Sequence, residues 1–173
     1  MKKCFYLLFA GLFLFSCSSQ KWKSGPDGLV VFPSKPTQNS GQAIRIRPVT
    51  AEIIGVSVSP GKTFAGDKSL SVLSSGELAK YEVSENDKTV ILSTTALKVE
   101  VDKTSGGIQF LDITGNLLLK EKAVDGRQLS PITVEGVKGY TLQQVFDSPG
   151  EEALYGLGQH QAGELNYKGK SEE

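Results

Sequence analysis

Past its seventeenth residue this 173-residue chain has no cysteine at all, and it holds one histidine and one tryptophan. With Cys4 and Cys17 both at the start, the body of the chain can form no internal disulfide and no cysteine metal site. His160 has neither a second histidine nor an acidic partner at ligand spacing, so no metal and no cofactor is expected. Charge of one sign is not in excess either, with 19 basic residues against 19 acidic. The footprint that a nucleic-acid backbone requires is missing, which excludes that class of partner. No stretch keeps a helical stripe, and no apolar run is long enough to cross a bilayer comfortably. What remains is an ordinary globular composition, 39% apolar and 22% charged, enough for one domain with its own core.

The first residues are not part of that core. Lys2 and Lys3 precede the apolar run from Phe5 to Phe15, and Ser16 is a small residue at a cleavage position, so residues 1–16 read as an export signal. The next residue is Cys17, and "LFSC" resembles the lipobox of bacterial lipoproteins, in which the cysteine becomes the acylated N-terminus. The other reading is ordinary cleavage with Cys17 as a free thiol, but a lone thiol in an oxidising compartment has no partner. The lipoprotein reading places the chain in the bacterial cell envelope, anchored to a membrane through lipid rather than by a spanning helix. Residues 17–28, rich in Ser, Gly and Lys, read as a flexible tether, with Trp22 either at the lipid interface or as a partly exposed linker residue.

From Leu29 to residue 173 the text is strand after strand. "LVVF" is a short apolar run, "AIRIRPV" alternates Ile44 and Ile46 against Arg45 and Arg47, and "IIGVSVSP" continues the period of two. "SLSVLS" from Ser69, "KYEVSENDKTVILST" with its Glu-Asn-Asp-Lys turn, and "ALKVEVDKTSGGIQFLDITGNLLLKE" repeat the pattern at short spacing. Lys98, Glu100 and Asp102 alternate with Leu97, Val99 and Val101 and form the solvated side of one strand, not a catalytic cluster. The expected fold is all-β, an antiparallel β-sandwich.

The chemistry is concentrated in "YGLGQHQAGELNYKGKSEE" at the end of the chain. A dinucleotide loop would need a third glycine where Gln161 stands, followed by a helix. A P-loop ending in Gly169-Lys170-Ser171 would need a glycine where Glu164 stands. Both phosphate readings fail. Gln159, His160, Gln161, Asn166 and Tyr167 carry donors and acceptors suited to sugar hydroxyls, and Tyr155 and Tyr167 offer apolar faces for a pyranose. A polar surface loop serving solubility would have the same composition.

"EEALYGLGQHQAGELNYKGK" resembles the segment of family 31 glycoside hydrolases, the α-glucosidase and α-xylosidase family, built around "YGLG" with a later Asn or Asp near a Gly. "AIRIRPVTAEIIGVSVSP" looks like the early strand pair of that family. "LKVEVDKTSGGIQFLDITGNLLLKE" looks like its hairpin, here carrying Val99, Val101, Asp102, Gly107, Ile108, Phe110, Asp112, Gly115, Leu118 and Glu121. The resemblance implies a galactose-mutarotase-like supersandwich that is incomplete at its C-terminus, set before a catalytic (β/α)₈ barrel that this sequence lacks. It implies that two barrel aspartates cleave α-linked sugars with retention, that no residue here is catalytic, and that the chain alone is inactive. It places His160, Gln161, Asn166 and Tyr167 at the sugar site, with an α-linked carbohydrate as the ligand of the full enzyme. Three functional classes stay open: the N-terminal domain of a lipid-anchored α-glycosidase, a free-standing carbohydrate-binding sandwich, and a structural envelope lipoprotein.

Overall fold

A computed structural model of the chain describes residues 21–64, 66, 77–156, 163 and 165–170. Four strands, β1 (Trp22–Gly25), β2 (Gly28–Val31), β3 (Ala43–Pro48) and β4 (Ile54–Ser59), pair in sequence order into one sheet. Five more, β5 (Glu82–Glu85), β6 (Thr89–Ser93), β7 (Leu97–Asp102), β8 (Ile108–Asp112) and β9 (Leu117–Lys120), form a second sheet, again in sequence order. A separate two-stranded ribbon joins β10 (Arg127–Val134) to β11 (Val137–Gln144). Every pairing is antiparallel. The all-β antiparallel sandwich expected from the alternating text is the fold that forms.

The period of two decides what is buried. Leu29, Val31, Ile44 and Ile46 from the first sheet meet Val90, Leu92, Val99, Val101 and Ile108 from the second, and these nine residues make one apolar cluster. In register, Val90 faces Val101 and Leu92 faces Val99 on the inner side, while Ile91 sits opposite Glu100 on the outer side. Full burial of each Val, Leu or Ile side chain contributes about 1.5–3 kcal/mol. At the edge of the second sheet, Leu117, Leu118 and Leu119 of β9 remain exposed.

One segment differs from its sequence reading. Residues 22–25, assigned to a tether, form β1 and pair with β2 in the register Trp22↔Val31 to Gly25↔Gly28. Pro26-Asp27 is the turn between them rather than linker. Gly28 has φ of +98°, and a Cβ there would lie 2.2 Å from the Ile46 carbonyl oxygen, so only glycine brings β2 this close to β3. Trp22 is half-buried against the core, and its indole Nε1 donates to Glu85 Oε2 at 3.0 Å. A strand of four residues with one apolar side chain is too short for its period to register in sequence. The expected strand from Ser69 to Ser74 lies outside the described residues.

The β10–β11 ribbon, two strands of eight residues each, also escaped the periodicity. Pro131 inside β10 and Gly139 inside β11 argue against strands. Both are tolerated because each strand has only one partner, so an edge is always free. The turn is the two-residue type in which both positions take positive φ, Glu135 at +49° and Gly136 at +81°.

A buried ion pair fixes this ribbon to the sandwich. Arg127, first residue of β10, is 5% exposed, and Glu121, just after β9, is 7% exposed. Arg127 Nη1 meets Glu121 Oε1 at 3.0 Å. Two more guanidinium donors reach the backbone carbonyls of Ser40 (Nε, 2.9 Å) and Gly106 (Nη2, 3.0 Å). Glu121 accepts two further bonds, from the Ile108 amide to Oε2 at 3.1 Å and from Gln144 Nε2 to Oε1 at 3.1 Å. Burial pushes the Glu121 carboxyl above its ordinary pKa despite the opposing pull of Arg127. Burial likewise lowers the pKa of Arg127, against the attraction of Glu121.

Two other carboxylates close hairpins. Asp102 Oδ1 accepts from the amides of Thr104 (2.9 Å) and Ser105 (2.6 Å) and from the Ser105 hydroxyl (2.9 Å). Asp112 binds the amides of Thr114 and Asn116 and both of their side chains. The Asp102 carboxyl lies below its ordinary pKa because these donors outweigh its desolvation. The Asp112 carboxyl is lowered further, chiefly by the side chains of Thr114 and Asn116.

Arg127→Met is expected to destabilise the chain by about 3–5 kcal/mol in urea unfolding, because it strands a buried carboxylate. The double variant Arg127→Met, Glu121→Leu should recover part of the loss, and a double variant no better than the single one would contradict this account. A second expectation concerns pH. Asp102 and Asp112 are depressed in the folded state, so the stability they add is complete above their ordinary value of 3.8 and is lost as pH falls through the lower folded values. Asp112→Asn keeps an acceptor but removes the titration, and should flatten the decline of the urea midpoint between about pH 5 and pH 2. An unchanged slope would assign the acid sensitivity to other groups.

Candidate functional site

The loop singled out in the sequence hangs from the same buried ion pair. Beyond β11 the chain runs beside the end of β9: the Lys122 amide donates to the Val145 carbonyl at 3.0 Å, the Asp147 amide to the Lys120 carbonyl at 2.8 Å, and Phe146 bridges Glu121. Gln144 Nε2 ties this stretch down by donating to Gly126 O at 3.0 Å as well as to Glu121. Pro149 then turns the chain, with the Glu152 amide closing onto the Pro149 carbonyl at 3.1 Å and the Ser148 hydroxyl donating to Glu152 Oε2 at 2.5 Å.

Asn166 is the clasp of the loop. Its Oδ1 accepts from the amide of Leu154 at 3.0 Å and from that of Lys168 at 3.1 Å, while the Tyr167 amide donates to the Leu154 carbonyl at 2.8 Å. Lys168 Nζ adds bonds to the carbonyls of Pro149 and of Gly150, the latter at 3.0 Å. The chain is laced to itself at Leu154 and at residues 166–168. Gly156 and Gly163, at φ of +71° and +70°, take the left-handed backbone between these two points.

Of the four residues expected at a sugar site, Asn166 and Tyr167 come together at this clasp, whereas His160 and Gln161 lie outside the described residues, as does Cys17. The structure gives Asn166 a positioning role, since its side-chain oxygen already holds two backbone amides. Tyr167 is 7% exposed and serves the packing of the loop base. Tyr155 presents its ring outward, 59% exposed, and is the aromatic face that the described loop offers. Asp102 and Asp112 hold hairpin turns through their hydrogen bonds. Sequence reasoning passed over Gln144 and Arg127, which fix where the loop begins. The one signal in the text was Glu121, the closing residue of the hairpin pattern.

Among the described residues no three of His, Cys, Asp and Glu gather as metal ligands. The described loop offers backbone groups, an amide clasp and one exposed phenol, an arrangement that can contact a hydroxylated ligand but carries no carboxylate pair flanking a cleft.

The family model for the glycosyl hydrolase 31 N-terminal galactose mutarotase-like domain matches residues 43–172. The crystal structure of the GH31 α-xylosidase from Xanthomonas citri is 37% identical over 86% of this chain, with a TM-score of 0.75. A GH31 α-xylosidase from a soil metagenome, solved in complex with xylose, is 24% identical over 87% of this chain with a TM-score of 0.63, a likeness that speaks for the fold alone. The chain spans 16% of the first of these proteins and 24% of the second. With three quarters of its length inside the family model and its two apolar sheet faces packed together, this chain belongs to the N-terminal galactose mutarotase-like domain family of glycosyl hydrolase 31.

Proposed function

We propose that this chain is the non-catalytic N-terminal sandwich of a retaining α-glycosidase of the α-xylosidase or α-glucosidase type, and that its loop between Leu154 and Asn166 shapes the sugar site of a following barrel. The observation that supports this reading is the clasp: Asn166 Oδ1 accepts from the Leu154 amide at 3.0 Å, and His160 and Gln161 fall between these two residues in the sequence. A loop whose base is fixed has less freedom to lose when it meets a sugar. His160 and Gln161 are then the side chains offered to hydroxyls, and Asn166 and Tyr167 act from the base, holding them in place. The 37% identity to an α-xylosidase favours an α-linked glycoside as substrate of the full enzyme. We further propose that Cys17 is acylated and anchors the protein in the bacterial envelope.

In an enzyme that joins this sandwich to a catalytic barrel, His160→Ala should lower kcat/KM for an aryl α-xyloside about tenfold or more, as the loss of one substrate hydrogen bond does. Asn166→Ala should do the same by loosening the loop, whereas Asn166→Asp, which keeps the acceptor, should retain most of the activity. The 173 residues alone are expected to turn over no aryl α-glycoside, and unchanged kinetics for both alanine variants would return the loop to a solvated surface element. Metabolic labelling with a fatty acid should mark the wild-type chain and leave Cys17→Ala unmarked. Equal labelling would remove the anchor.

A further inference from the structure

The overall balance of charge conceals a segregation. The strands of the first sheet contain Lys23, Arg45 and Arg47 and not a single carboxylate. Those of the second contain Glu82, Glu85, Glu100, Asp102 and Asp112 against Lys98 and Lys120. In the first sheet the cations stand on the side away from the core: Lys23 pairs with Val30, Val30 with Arg45 and Arg45 with Ser57, a row that alternates with the inward row of Trp22, Val31 and Ile44. The loop after β4 adds to the same face. Phe64 lies at 4.6 Å from the Arg45 guanidinium, which is buried, and Lys62 and Lys23 line a cleft of about 450 Å³ in which Asp27 is the only carboxylate among the described residues. Lys21, Lys23 and Lys62 are exposed, and the Lys23 ammonium stands 5.8 Å from the Phe32 ring.

The position of this face relative to Cys17 gives it a partner. Because β1 begins at Trp22, only Ser18, Ser19, Gln20 and Lys21 separate Cys17 from the folded sheet. The five steps from Cys17 to Trp22 reach at most about 18 Å. A tether that short keeps the domain beside the bilayer, and lysines that come within one Debye length of the surface, about 8 Å at physiological salt, are attracted to anionic headgroups.

We propose that the outer face of the first sheet is a membrane-docking surface: Lys21, Lys23 and Lys62 lie against anionic phospholipid headgroups, and the second sheet faces away. This rests on the acylation of Cys17 proposed above. The acylated domain is thereby oriented on the bilayer as well as attached to it. Half-buried phenylalanine rings beside exposed lysines suit the headgroup region, where ammonium groups stay hydrated.

The test uses the acylated full chain in vesicles of phosphatidylcholine alone and of phosphatidylcholine with phosphatidylglycerol in equal parts. Acylation leaves no free thiol in the mature wild-type chain, so a fluorophore can be placed at Thr63→Cys on the cationic face or at Ser84→Cys on the far sheet. Co-flotation with vesicles reports the anchor. Quenching of the fluorophore by headgroup spin-labelled lipid reports orientation. We expect quenching at position 63 to exceed that at 84 by about threefold or more in the anionic vesicles, and the difference to shrink in high salt and in Lys23→Glu, Lys62→Glu. A chain that floats but is quenched equally at both positions, or identically in the two lipids, overturns the docking surface while leaving the anchor intact. A chain that does not float overturns the anchor, and the docking surface with it.

Discussion

Arg127 and Glu121 are the point on which three parts of this molecule depend. A guanidinium that must be taken out of water needs its charge matched and its donors filled. Here the match comes from the end of β9, and two of the donors are filled by carbonyls of the loops at Ser40 and Gly106. The pair therefore sets the angle at which the β10–β11 ribbon leaves the sandwich. It also sets the start of the stretch from Val145 to Asp147 that leads into the "YGLG" loop. An apolar replacement would pack as well, but it would not specify which of several loops must meet there. The gain is in position more than in stability.

How much of this was legible depended on whether a feature is local. The alternation in "AIRIRPV" and the hairpins between Leu97 and Glu121 are local, and the structure has them with the expected inward faces. The polar turn at Glu85 to Lys88 forms because Asn86 Oδ1 accepts from the amides of Lys88 and Thr89, a bond that its own sequence supplies. β1 was not legible, since Trp22 acquires its role from Glu85, sixty-three residues away. The ribbon was obscured by Pro131 and Gly139, which matter only where a strand has neighbours on both sides. At the loop, the residue types suggested sugar contact for Asn166 and Tyr167, but what they do is decided by burial and by the backbone amides of Leu154 and Lys168. Burial is a property of the assembled chain and leaves no local mark.

The turns and the loop also divide the labour among acidic groups. Asp102 and Asp112 hold hairpins with depressed carboxyls, while Glu121 is raised by burial, so these acids of the domain are differentiated by their surroundings. Each carboxyl is tuned by the turn or the ion pair that it serves.

The pairing of Trp22 with Val31 has a mechanical side. Lys21 enters the sheet at the open end of the β1–β2 hairpin, where the Phe32 amide donates to the Lys21 carbonyl at 2.7 Å. A pull along the preceding chain loads those rungs one after another, as a zipper is opened, instead of sharing the load among all of them at once. The resistance then falls on the first rung and on the Trp22 side chain, locked by the core on one side and by Glu85 on the other. The lone tryptophan is thus the bolt that keeps tension on the N-terminal segment from peeling the first sheet open.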